Sequence, residues 1–391
     1  MKKIILAIMF CALSAPVFSV IPHYFGARSL ALGYASLAFN YDYNAVHLNP
    51  ALLSSLPISL GGLQYENSFL DYFDFAAQLQ KISAFDLKNF QDLDLEQKKD
   101  LLQSLNDVFS TKSGINGFQT KSSGYAGRGY GVAVEFVDAA VIFPLANEVL
   151  DKEAAQMTNA DIASLQMRFT GFKYRDYSVS YSFMIAQGFS LGVSAHWLNG
   201  KTSEFNVAII DEPFRPDSGA KEYLQEAWSG SEKRINLLNF DMGLVADLGP
   251  YFKAGVVVKN IAEPSIDTGV RELRLPRRII AGLTFRPDIT WGIYLDIDIA
   301  KKDLFFNGEM VQPLSLGLEK GFFKNKLFLR AGFLNDLSEK SFFGRKAKIV
   351  YGMGLGFNLG NFVVDFGMGL DSSGYVKNLG FSGFYTIRGK N

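Results

Sequence analysis

The chain has 391 residues, with 39 Lys and Arg against 39 Asp and Glu, 48% hydrophobic residues and one cysteine. Balanced charge gives no support for a nucleic-acid partner. A mean hydropathy of +0.08, with no run of eighteen apolar residues after residue 20, excludes a helical membrane protein but not a β-barrel, whose inward face dilutes its hydrophobicity.

In chain order, Lys2 and Lys3, apolar Ile4 to Phe18 and the compact Val17-Phe18-Ser19 predict a signal peptide over residues 1–19. Cys11 is expected to leave with it, which removes disulfides, Cys-ligated metals and thiol chemistry from the mature chain. Ile58–Glu66 and Asn67–Ala76 read as a first hairpin. Over 92–109, Leu95, Leu101, Leu102, Leu105 and Val108 recur at helical spacing with Glu96, Lys98, Lys99 and Asp100 between them, so an amphipathic helix is predicted there. A weaker helical pattern covers 147–163. Both helices read as insertions on one rim, and Gly124–Val137 and Leu165–Tyr174 resume the strand pattern.

From there the chain is a succession of hairpins. Tyr177, Val179, Tyr181, Phe183 and Ile185 share a face opposite Ser178, Ser180 and Ser182; Phe189, Leu191, Val193, Ala195 and Trp197 follow across Gln187-Gly188. Later strands repeat the alternation. Near the end, Tyr351, Met353, Leu355 and Phe357 oppose Gly352, Gly354 and Gly356, and Phe362, Val364, Phe366 and Met368 oppose Asp365, Gly367 and Gly369. Period 2 gives each strand a greasy and a small or polar side, and about ten such residues cross a bilayer within a closed barrel. Short turns alternate with the long polar connections Asp211–Lys233, Glu263–Arg274, Asp303–Val311 and Asn335–Lys346, the outer-membrane layout. The predicted fold is all-β: a closed antiparallel transmembrane barrel over residues 58–391.

On the non-greasy faces sit Arg168, His196, Asp241, Arg286, Asp296, Asp298, Arg330 and Asp365, with Glu135, Asp247 and Glu319. In a barrel they point into the lumen, where charge is costly unless paired or hydrated. Interior ion pairs are the favoured reading, and a carboxylate-binding track using the arginines is the alternative. Asp296 and Asp298 are neighbours on one strand face with no third ligand at suitable spacing, so no metal and no cofactor is expected. No Gly-x-Ser-x-Gly, His-Glu-x-x-His or phosphate loop occurs, and nothing argues for an enzyme.

Before the first strand stands Phe25-Gly-Ala-Arg-Ser-Leu-Ala-Leu-Gly-Tyr, then Asp42 and Asn49-Pro50-Ala51. Gly26, Gly33, Asp42, Asn49, Pro50 and Ala51 resemble the N-terminal elements of the FadL-like outer-membrane transport superfamily. Within it, residues 165–182, Lys253–Pro264 and 275–287 resemble the group named for conjugal-transfer TraF. The resemblance implies about fourteen strands and a hatch over 20–57 folded into the lumen, with the six residues above as hatch elements. It also implies passage of hydrophobic, fatty-acid-like or aromatic small molecules across the outer membrane of a diderm cell, with membrane lipids as surroundings. The alternative is a non-transporting scaffold docking a secretion or conjugation protein, as PorV-type relatives do.

Overall fold

A computed structural model describes residues 26–40, 42–56, 58–71, 81–109, 115–145, 148–210, 226–303, 310–338, 349–370 and 376–387. The predicted signal peptide lies outside them. Fourteen antiparallel strands close on themselves. They are β1 (Ile58–Asp71), β2 (Ile115–Gly127), β3 (Tyr130–Pro144), β4 (Gln166–Ala186), β5 (Phe189–Ala208), β6 (Lys233–Asp247) and β7 (Phe252–Lys259), then β8 (Arg278–Phe285), β9 (Trp291–Asp298), β10 (Pro313–Phe322), β11 (Leu327–Asp336), β12 (Val350–Leu359), β13 (Phe362–Leu370) and β14 (Val376–Ile387). Each pairs with the next in sequence, and β14 closes on β1 from Ile58↔Ile387 to Ser68↔Asn378.

The alternation sorts as the pattern predicts. Val179, Met242, Met353 and Phe366 are exposed on the outer face, while Ser180, Asp241 and Asp365 are buried inside. β4 and β5 mark the membrane boundary. Tyr177 stacks on Trp197 with ring centroids 5.4 Å apart, and the paired outward lysines Lys173 and Lys201 lie beyond them. Aromatics at the interface with cations past it are what a bilayer edge selects. Residues 177–185 then span the apolar layer, and the remainder of these 21- and 20-residue strands projects beyond it.

That projection carries a cap. Helix α3 (Leu95–Phe109) and the short helix α4 (Asn159–Ser164) share one apolar core with the strand ends, through Leu101, Leu105, Phe90, Ile162, Met167 and Ile209. α3 starts where Asp94 and Gln97 cap each other reciprocally. α4 begins at a Thr158–Asp161 capping box, so each start satisfies helical N–H groups that have no partner within the helix.

Three expectations need correcting. The first hairpin does not exist: Ile58–Asp71 is one continuous strand, because Glu66 is buried on its inward face and the pairing with both neighbouring strands runs on through Glu66 and Asn67. The strand pattern read over 124–137 is broken by a turn at Arg128-Gly129, where both residues take positive φ, so that the stretch belongs to two strands, β2 and β3. The predicted helix over 147–163 is a turn of 3₁₀ helix (Glu148–Asp151) followed by α4.

Candidate functional site

The lumen is occupied by residues 26–40 and 42–56. Two short helices, α1 (Ala27–Ala31) and α2 (Ala45–Leu48), and a 3₁₀ turn (Pro50–Ser55) form a compact hatch, almost wholly buried. Its fold is local polar chemistry. Asp42 Oδ1 accepts from the Asn44 N–H at 2.8 Å and from Asn40 Nδ2 at 3.1 Å. Asn49 Oδ1 accepts the Ala51 N–H at 3.1 Å, and its amide donates to the carbonyls of Leu37 and of Leu244 in the wall, both at 3.3 Å. Asn49-Pro50-Ala51 is therefore both a helix start and a wall contact, since Pro fits the first turn of a helix and Ser182 Oγ donates to the Ala51 carbonyl at 3.0 Å.

The hatch seats closely because the wall opposite it lacks side chains. A methyl on Gly332 or Gly352 would overlap the backbone of Leu30–Gly33, and one on Gly192 the backbone of Pro50–Ala51. Gly33 turns at φ 62°, a left-handed conformation that suits glycine.

Three polar clusters fasten hatch to wall. In the first, Arg28 Nε of α1 meets Glu319 at 3.2 Å, Glu319 meets Arg330 at 2.7 Å, and Arg330 meets Asp365 at 2.6 Å. Tyr294 donates to Glu319 at 2.9 Å. In the second, Asp296 Oδ2 accepts the hatch N–H groups of Ser36 and Leu37 at 2.8 and 2.9 Å. In the third, His196 lies between Asp176 at 3.0 Å and Asp241 at 3.3 Å. Lys259 sits 3.3 Å from Asp241 and donates to the carbonyl of His47 in α2. Charges this deeply buried are tolerable only when paired and hydrogen-bonded. The hatch also carries an acid of its own outside these three clusters: burial pushes the Asp42 carboxyl up to about 6, with the Asn44 N–H and Arg28 pulling the other way.

Not every candidate belongs to these clusters. Asp298 pairs with Arg278 at 3.0 Å. Arg168 joins Arg271 on Glu204, at 3.3 and 2.9 Å, near the long-loop rim. Arg286 lies at the short-turn end, its guanidinium 4.3 Å from the Phe39 ring centroid, and Asp247 is a rim partner of Lys253 at 2.6 Å. Sequence reading passed over Arg28, His47, Asp176 and Lys259. Parity with Ser178 would have placed Asp176 inside, whereas Arg28 and His47 carry no periodic signal.

Beyond the hatch, towards the long loops, the inward face changes character. Val141, Phe172, Leu198 and Ile235 form an apolar patch, covered by Ile266 and Leu273 of the hairpin Ser265–Asp267/Glu272–Arg274 and by Leu275 directly after it.

Residues 46–298 match the family model described as "F plasmid transfer operon, TraF, protein". Among solved structures, the P. putida toluene transporter TodX aligns at TM-score 0.54 and 11% identity, over 94% of this chain and 100% of that one. The CymD monoaromatic hydrocarbon channel aligns at 0.53 and 13%, over 94% and 98%. A Pseudomonas aeruginosa FadL homologue aligns at 0.52 and 9%, over 96% and 100%. Comparison with curated proteins finds no match. At these identities the structural likeness is one of fold.

Proposed function

We propose that this chain, which belongs to the TraF family of the F plasmid transfer operon and has the FadL-like outer-membrane barrel fold, binds hydrophobic small molecules in its lumen and passes them across the outer membrane. The observation that carries this reading is the inward apolar patch of Val141, Phe172, Leu198 and Ile235 standing over a hatch that fills the barrel. A water-filled pore offers an apolar solute no favourable place, whereas an apolar wall returns about 25 cal/mol for each Å² of solute surface it covers. The covering hairpin lies on the patch in the place of the solute and is the element to swing away as solute enters. Passage then needs the hatch to shift, with Arg28, Asp296 and Lys259 as the contacts it breaks. The fold neighbours titled as a toluene transporter and a monoaromatic hydrocarbon channel support a compact aromatic or acyl solute.

The test is equilibrium binding of labelled toluene and of a fluorescent long-chain fatty acid to the full chain in detergent. Saturable binding of either, weakened at least tenfold in Phe172→Asp, is expected. No binding of either probe by the folded barrel would overturn the reading.

A second reading rests on the cap. α3 and α4 turn their apolar sides into a shared core and leave Glu96, Lys99 and Asp100 exposed, a charged helical surface on the rim suited to docking a protein of a secretion or conjugation system. An empty lumen with a stable partner held through that surface would favour it.

A further inference from the structure

The third hatch-to-wall cluster holds more than an ion pair. His23 lies outside the described residues, and the chain's other two histidines come together from distant parts of the sequence. The rings of His47 and His196 have centroids 6.2 Å apart, and one ligating atom each from His47, Asp176 and His196 lies within 4.8 Å of the other two. We propose that these three side chains bind a first-row divalent transition metal of the zinc type, stapling the hatch to the barrel wall.

Two imidazoles and a carboxylate are the donor set that borderline cations select over Ca²⁺ or Mg²⁺, which prefer oxygen alone. A tetrahedral zinc holds its ligand atoms about 3.4 Å apart at bonds near 2.0–2.1 Å. The three atoms therefore close on an ion by side-chain shifts of about 1 Å or less.

A further carboxylate stands beside the trio. Glu135 lies directly opposite Asp176 in the β3–β4 register and is 2% exposed, and its Oε1 has no hydrogen-bond partner among the described residues. The surroundings also have the form of an outer shell. His196 Nδ1 lies on the Asp176 side, 2.9 Å from Ser178 Oγ, which a metal on that nitrogen would displace. Nε2 faces Asp241 at 3.3 Å, so a carboxylate stands on the far side of the ring, where an outer-shell partner orients a ligating imidazole. Asp241 is itself held by the Asn260 N–H at 2.9 Å and by Lys259.

Charge points the same way. Glu135, Asp176 and Asp241 bring three carboxylates into a buried region where Lys259 is the fixed cation. Two negative charges are left over, and a divalent ion cancels them. Protons on the carboxylates and imidazoles are the competing means of neutralisation, and they would leave no metal bound. Because His47 belongs to α2, Asp176 to β4 and His196 to β5, withdrawal of the hatch would cost the metal a ligand. This staple is independent of what the barrel transports.

The experiment takes the full chain, purified in detergent without a polyhistidine tag, stripped with chelator, loaded with Zn²⁺ and desalted. One zinc per chain is expected, with affinity at least tenfold weaker in His47→Gln and in Asp176→Asn, each checked for heat-modifiable migration as a folded barrel. Should the variants fail to fold, zinc-edge X-ray absorption of the wild-type protein decides, and two imidazoles in the coordination shell are expected. No retained zinc, unchanged affinity in folded variants, or a shell without imidazole would overturn the site. A functional readout accompanies it: Zn²⁺ should slow thiol labelling of Ala35→Cys in the hatch at least tenfold in the wild-type background and leave it unchanged with His47→Gln. Equal rates with and without zinc would overturn the staple.

Discussion

Asp296→Ala is the most direct probe of how the hatch is held. One oxygen of Asp296 accepts two hatch N–H groups, from Ser36 at 2.8 Å and Leu37 at 2.9 Å. Hydrogen bonds to a charged group contribute about 1.5–3 kcal/mol each, so with the carboxyl ionised the pair contributes about 3–6 kcal/mol before offsets. Seating the hatch also strips water from the carboxylate, and subtracting part of that cost leaves about 2–4 kcal/mol. Asp296→Asn is the informative partner, since an amide oxygen still accepts both N–H groups and its burial costs less. The readout is the rate at which a maleimide labels Ala35→Cys, a position fully buried in the seated hatch, with Cys11 replaced by Ser. When closing outpaces labelling, the rate follows the fraction of open hatch, and 1.4 kcal/mol is tenfold. Asp296→Ala should accelerate labelling about 30- to 700-fold, and Asp296→Asn less than about tenfold. An Ala variant within threefold of wild type, or an Asn variant as fast as the Ala one, would refute the claim that these two bonds seat the hatch.

Gly192→Val places a side chain where the Pro50–Ala51 backbone lies; the barrel should still fold while the hatch is displaced, raising ion conductance in planar bilayers, and an unchanged conductance would count against the close seating. Burial pushes the Asp42 carboxyl up to about 6, above the ordinary aspartate range, so the folded state binds the proton more tightly and hatch stability falls as pH rises through 6. The change is about 3 kcal/mol between pH 4 and 7, measured with Arg28 and Asp365 left intact as the charges that influence it. Asp42→Asn should remove that share of the dependence in the labelling assay, and an unaltered slope would assign it to another group. Met242→Arg, on the exposed apolar face, should lower barrel stability in bilayers by about 2–4 kcal/mol in denaturant titration, whereas no loss would move that face out of the membrane.

What the sequence made legible was what repeats. Period-2 alternation placed Met353 and Phe366 outward and Asp365 inward, and short turns alternating with long connections gave the closed, in-order barrel. The interior charges were legible as a class, because an inward Arg330 or Glu319 needs a counter-charge. Their partners were not. Arg28 meets Glu319 across 291 positions, and no local pattern links a hatch residue to a particular strand. The failed hairpin at 66–67 has the same origin: the buried Glu66 reads as a break in the apolar pattern until the Tyr34 hydroxyl that donates to it at 3.3 Å is brought in from the hatch.

The glycines carry this argument furthest. Gly352, Gly354 and Gly356 were visible as a small-residue face, which in an open barrel would be a wide water-lined wall. Gly352 instead meets the backbone of Leu30–Gly33, Gly354 meets Ala31, and Gly356 makes room for Arg330 and Asp365. The absent side chains and the buried charges thus have one cause, the hatch. A wall shaped to backbone on one side and to ion pairs on the other cannot let the hatch slip by small degrees, since any shift that opens a path also strands Glu319 or Asp296 without its hatch partner. Movement is therefore expected to be all-or-none, and whatever opens the barrel must act on those few contacts.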